Sequence, residues 1–213
     1  MSSATVYRLS GIALLIGGTL AAIGTIGQMF NDNPLSPFWI PVSLAVAIGL
    51  LLVILGLPAV YVRQMWRART FGLIGFILFF LACVQFGGGG GLTDIVLLPW
   101  ITQLAPGALN NPPMTFFLYF LVSKLLILLG SLLFGIATLR AGILPKGSAI
   151  LLLVGGVLFI VGGRIHAVPY LVYLGELLFF LSFVWFGFAL LSSSRLEVER
   201  EPSLTPTGTE VSA

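Results

Sequence analysis

Residues 38–62 read FWIPVSLAVAIGLLLVILGLPAVYV, twenty-five consecutive positions without a charge. At 1.5 Å per residue an α-helix of that length reaches about 37 Å, more than the ~30 Å hydrocarbon thickness of a bilayer. The same chemistry recurs outward on both sides. Runs long or nearly long enough to span lie at 9–30, 70–86, 115–139, 148–163 and 168–192, the one at 148–163 being the shortest. The expected fold is all-α: a polytopic bundle of six transmembrane spans over residues 1–192, followed by a disordered cytoplasmic tail over 193–213, which is polar and rich in Glu, Ser, Thr and Pro.

Composition supports lipid as the solvent. Hydrophobic residues make up 58% of the 213 and charged residues 8%, against ~25% charged in soluble domains. One soluble core of this size has too little volume to hide so much apolar surface. The net charge of +3 comes without any Lys/Arg run, so clustered phosphate contacts and a nucleic-acid partner are not expected. Cys83 is the single cysteine, which excludes an intrachain disulfide, a thiol pair and a cysteine-based metal site. The first apolar run extends to Phe30 with no small-residue cleavage site, so it reads as a retained helix.

Orientation follows from the retention of Lys and Arg on the cytoplasmic side. Arg8, Arg63, Arg67, Arg69, Arg140, Lys146, Arg195 and Arg200 fall on one side of a six-span bundle and Arg164 on the other. Both termini are thus expected in the cytoplasm, in a bacterial inner membrane. The turns are expected at Asn31-Asp32-Asn33-Pro34, at Arg67-Ala68-Arg69, at Leu144-Pro145-Lys146-Gly147 and at 164–167. Residues 87–113 form a longer outer segment in which a short helix around 92–101 would lie in the interface, with Trp100 at headgroup level, or close over the outer face as a lid.

Small residues carry a second pattern. Gly11 and Gly18, Gly17 and Gly24, Gly49 and Gly56, and Gly155 and Gly162 are each seven apart, which places them on one helix face and predicts close helix contact. Arg8 to Gly24 also aligns with Lys146 to Gly162 at a constant shift, with Gly17/Gly155, Gly18/Gly156 and Gly24/Gly162 among the identities. Either a structural repeat or shared Leu- and Gly-rich composition produces such a match.

Two charges fall inside expected spans, Lys124 and Glu176, and each costs ~2.5 to 3.5 kcal/mol on insertion scales when alone at mid-membrane. Lys124 shares a helix face with Ser131, Gly135 and Thr138, and Glu176 with Tyr173, Phe183 and Gly187. Both lie about 13 Å below the outer ends of their helices, so an ion pair is expected, with Tyr173 or Tyr119 bonding into it. Such a pair either fixes helix register or forms a ligand or proton site. Asp94, Arg164, His166 and Tyr170 are expected at the same outer end as an outward-facing vestibule, and His166 has a side chain suited to sensing external pH. Gln85 is expected to bond a neighbouring helix.

No catalytic motif emerges. Gly87 to Gly91 lacks the Gly-Lys-Ser/Thr of a phosphate-binding loop, and no His-Glu-x-x-His, Gly-x-Ser-x-Gly or close Asp pair occurs. A single histidine leaves haem and metal sites short of ligands, so no cofactor, no metal and no catalytic residue is expected.

The stretch Phe134-Gly135-Ile136-Ala137-Thr138-Leu139-Arg140-Ala141-Gly142-Ile143-Leu144-Pro145-Lys146, followed by Leu151-Leu152-Leu153-Val154-Gly155-Gly156, resembles a hairpin common in bacterial six-helix integral membrane proteins of unknown function. The start Arg8-Leu9-Ser10-Gly11-Ile12-Ala13 is similar to theirs. That resemblance implies a fold and a membrane location, and no activity. Three function classes remain. An accessory or assembly subunit of a membrane complex, partnered by another membrane protein or by a second copy, fits the sparse polar content most simply. A small-solute or proton transporter would use Lys124 and Glu176 as its coupling pair. An enzyme acting on a lipid or quinone would need a nucleophile or metal site that the sequence does not offer.

Overall fold

The computed structural model describes residues 3–110, 112–162 and 170–200. It is all-α, with no strand among the described residues. The long helices are α1 (Ser3–Phe30), α2 (Trp39–Val84), α4 (Met114–Ala141), α5 (Lys146–Gly162) and α6 (Tyr170–Arg200), with a short α3 (Leu98–Leu104) between α2 and α4. Among the described residues, four helical stretches are long and apolar enough to cross a membrane: Thr5–Phe30, Trp39–Leu104, Met114–Ala141 and Tyr170–Ser192. The shorter α5 is apolar throughout its 17 residues.

The second of these stretches is a hairpin. At Arg69 the backbone takes φ 50 and ψ −154, which breaks α2 into limbs 39–68 and 70–84. No turn sequence is needed, because one residue in a region that disfavours side chains turns the chain at a cost of about 1–3 kcal/mol. Packing holds the turn closed. Tyr61 stacks on Phe76 with ring centroids 4.8 Å apart, and Gly87 and Gly91 reach back to Leu50 and Ala47 on the first limb. Arg67 Nη1 donates to the carbonyl of Ala141 at 3.3 Å, tying the apex to the end of α4.

Residues 87–113 carry more helix than the short one expected around 92–101. The chain stays helical past Val84 through two π-helical stretches, Gln85–Gly90 and Thr93–Leu97, then α3 and a 3-10 turn at Pro106–Asn110. Because Gly91 lies against Ala47 and Gly87 against Leu50, two to three turns into the first limb, the glycine run packs alongside that limb and not above it. π turns leave carbonyls that the ordinary ladder does not satisfy. Here Thr93 Oγ1 donates to Gly89 O at 2.8 Å and Tyr119 Oη to Gln85 O at 3.4 Å. At the other end of the chain, α6 runs on to Arg200, past the expected boundary at 192.

Sequence neighbours are spatial neighbours, and the arrangement closes on itself. α1 packs between the first limb of α2 and α6, α5 packs between α6 and α4, and α4 packs on the second limb of α2. Adjacent rods run antiparallel, as the contacts Gly17 with Gly49, Gly11 with Gly187, Gly155 with Phe179, Gly135 with Leu153 and Gly75 with Phe134 require. Phenylalanines fill the ring. Phe79 packs against Phe134, Phe179 and Phe183 with centroid distances of 5.6, 5.6 and 5.9 Å.

Two adjacent glycines play the same part in α1 and α5. A methyl added to Gly17 would lie 2.5 Å from the carbonyl oxygen of Gly49, and one on Gly18 would lie 2.9 Å from that of Phe180. In α5, Gly155 faces the backbone of Phe179 while Gly156 faces Ser131 on α4. Each pair therefore admits two flanking helices at close range, by backbone on both sides in α1 and by backbone and the Ser131 side chain in α5, so the aligned segments Arg8 to Gly24 and Lys146 to Gly162 pack in corresponding ways. Gly142, with φ 63, ends α4 in the left-handed conformation and turns the chain toward α5.

Candidate functional site

The basic residues gather at one end. Arg63 lies over the Tyr7 ring at 5.5 Å, Arg140 over Phe71 at 5.7 Å, and Arg67 reaches Ala141, so the start of α1, the α2 break and the α4–α5 turn are level. A polar seam lies just inside that end, where Gln64 Nε2 donates to Thr138 Oγ1 at 2.9 Å and both residues are fully buried. The Gln64 Oε1 atom is left without a partner.

Glu176 lies toward the opposite end, on the second turn of α6. It is 7% exposed, the most buried charged residue among those described. Helix register explains what it meets. Gly11 touches Gly187 and Gly18 touches Phe180, so seven residues further along α1 Thr25 comes level with Tyr173, one turn from Glu176. The Thr25 hydroxyl lies beside the Glu176 carboxyl, is 1% exposed and has no partner in hydrogen-bond geometry. Asp94 is the other charge within electrostatic reach of that carboxyl among the described residues. The Glu176 stem borders a cavity of ≈ 10 Å³ walled by Leu50, Cys83, Phe86, Phe159 and Phe180, room for about one water.

Lys124 and Glu176 are not brought together as an ion pair. α4 packs on α2 and α5, whereas α6 packs on α1 and α5, so α5 stands between the two helices that carry the charges. Lys124 is half-buried, and the groups acting on Glu176 are Asp94 and Thr25. Equal depth placed the two charges at one level, but depth says nothing about azimuth around a closed ring. Tyr119 is committed elsewhere, its hydroxyl lying on Gly89 and donating to Gln85, so Gln85 is engaged through its backbone carbonyl. Tyr173 is half-buried and lies within electrostatic reach of Asp32, Asp94 and Glu176.

Of the expected vestibule residues, Asp94 is half-buried with its carbonyl oxygen accepting from Trp39 Nε1 at 2.6 Å, and Tyr170 is 57% exposed. Arg164 and His166 lie outside the described residues. No group of three or more His, Cys, Asp or Glu side chains that could hold a metal ion occurs among the described residues. Thr25 is the site residue that the sequence reading passed over. Its signal was present, since it stands seven residues after Gly18 on the face that the glycines mark. Near it, Gln28 Nε2 donates to Ser43 Oγ at 3.1 Å, joining α1 to α2.

Compared with protein-family models, curated proteins and solved structures, the chain matches none. The likeness carried by the Phe134 to Lys146 hairpin therefore adds no family and no activity, and function rests on the site itself.

A double-mutant cycle checks the separation of the two charges. Lys124→Met and Glu176→Gln are expected to change unfolding free energy in detergent independently, with a coupling below ~0.5 kcal/mol, as for residues without shared partners. A coupling of about 1 kcal/mol or more would mean that they interact directly after all.

Proposed function

We propose that this chain is a six-span protein of a bacterial cytoplasmic membrane, with both termini in the cytoplasm, that serves as an accessory or assembly subunit of a membrane complex. Two features support the six spans. The break at Arg69 divides the longest apolar stretch into two limbs, and α5, at about 26 Å, nearly matches the hydrocarbon thickness and needs little tilt. Support for the orientation comes from the gathering of Arg63, Arg67 and Arg140 at one end, with Asp32 and Asp94 toward the other.

The observation that carries the functional reading is the filled interior. Phe79, Phe134, Phe180 and Phe183 are fully buried on the axis, and the interior cavity beside them holds about one water. A transporter of small solutes needs a midplane site at a repeat interface and irregular backbone lining it. Here, in the irregular stretch Gln85–Gly90, Leu50 packs on Gly87 and Tyr119 on Gly89, while Gly88 faces outward. What the protein offers to others is its outer surface, such as the α4 face bearing Phe117, Val122, Leu125 and Leu129. The chemistry of that face suits lipid or the helices of a membrane partner.

Topology is checked with a phosphatase reporter that is active only outside the cytoplasm. Fusions after Asn33 and Gly107 are expected to be active, and fusions after Arg67 and Gly142 inactive. Activity after Arg67 would rule out the six-span arrangement.

The functional reading is checked by native mass spectrometry of the chain extracted from its own membrane in lipid nanodiscs. A stoichiometric assembly with a second membrane protein, or with further copies of itself, is expected. A bare monomer that carries solute flux when reconstituted would overturn it.

A further inference from the structure

We infer that Glu176, together with Thr25, is a proton-binding site inside the helix ring, loaded from the end of the bundle where Asp94 lies. This goes beyond the assembly role and does not depend on it.

The inference starts from an imbalance of charge. Glu176 is more than nine-tenths buried, and among the described residues no cation lies against it. A buried carboxylate without a counter-charge is unstable by several kcal/mol, so the group must either find a cation or carry a proton. The surroundings decide between these. A hard metal cation takes about six oxygen ligands, whereas Thr25 is the side chain that brings an oxygen up to the Glu176 carboxyl, and Asp94 acts on it through charge alone. The adjoining cavity is walled by Leu50, Phe86, Phe159 and Phe180, and its ≈ 10 Å³ cannot hold a hydration shell. A proton needs no shell.

Thr25 supplies the second observation. Thr25 is 1% exposed, and its hydroxyl lies beside the carboxyl with no other group in hydrogen-bond geometry. A hydroxyl can accept from a protonated carboxyl or donate to a charged one, so a small rotation of Thr25 serves both states. The side from which the proton arrives follows from the remaining groups. On α6 the neighbour is Tyr173, from the π-helical stretch Asp94, from the α1–α2 turn Asp32 within reach of Tyr173, and from α2 the buried thiol of Cys83. The described residues of α5 contribute no charged side chain above Lys146, and Lys124 on α4 is not among the groups acting on Glu176. The oxygens of Asp94 and Tyr173 thus lie between Glu176 and that end of the bundle. Toward the basic end the axis is closed by Phe79, Phe179 and Phe183.

The test uses dicyclohexylcarbodiimide, an apolar reagent that modifies protonated carboxyls in lipid, on the full-length protein in proteoliposomes, with the modified residue located by peptide mass spectrometry. Glu176 is expected to be labelled, with labelling falling about tenfold per pH unit once past its midpoint. That fall should follow the pH on the Asp94 side of the vesicle and not the pH on the basic side. Replacing choline chloride by sodium chloride should leave labelling unchanged. Three results would overturn the inference: no label on Glu176 at any pH, protection by sodium, or dependence on the pH of the basic side. Wild-type protein carries the test, so a misfolded Glu176→Gln control would not void it.

Discussion

Lipid supplies no hydrophobic force to press one apolar helix on another, so the bundle depends on how closely its backbones can approach. Each dispersion contact contributes little, and many must be made at once. The chain meets that constraint with glycine. Gly17 opposes Gly49, Gly155 opposes the backbone of Phe179, and Gly130 opposes that of Phe79, each so near that a methyl would lie 2.5 to 2.6 Å from a backbone atom. Bringing six rods that close around an axis leaves a space that large aromatic side chains fill, and Phe79, Phe134, Phe180 and Phe183 do so with no exposed surface. Glycine on the seams and phenylalanine on the axis are two halves of one packing solution.

That solution determines where polar groups can sit. With the axis filled by phenylalanine, buried polar side chains are left to the helix–helix seams. Gln28 with Ser43, and Gln64 with Thr138, join neighbouring helices in this way. Glu176 is the exception, held between α1 and α6 next to a threonine that cannot neutralise it. Intramembrane ionisable residues of this kind are costly, and they are retained where their ionisation has a use.

Much of the fold was legible from residues alone, and the failures share a cause. The long apolar helices were readable because a run such as 38–62 carries no charge, and the glycine spacing marked real seams. The turn expected at Arg67-Ala68-Arg69 is there but narrower, since Arg69 alone leaves the helical conformation. Gly87 to Gly91 was read as a loop or helix end because a glycine run normally breaks a helix, whereas here Tyr119 and Ala47, remote in sequence, and Thr93, four residues past Gly89, pack on the run or bond to it. The site shows the same division. Glu176 stood out as a charge among apolar neighbours, but its company was set by the order of helices around the ring, which depth along a helix does not encode. Lys124 was the expected neighbour, and Thr25, on a face already marked by Gly18, is the one that the ring provides.

The closure of the ring between α1 and α6 is the contact on which both the filled axis and the Glu176 environment depend. It is measured most directly by oxidative cross-linking in native membranes of Gly11→Cys paired with Leu191→Cys, in a Cys83→Ala background. A methyl on Gly11 would lie 3.0 Å from Leu191 Cγ, so rapid and near-complete disulfide formation is expected, with no cross-link when the second cysteine is moved to Trp66. Failure of the Gly11 and Leu191 positions to cross-link in protein that inserts normally would contradict the closed ring.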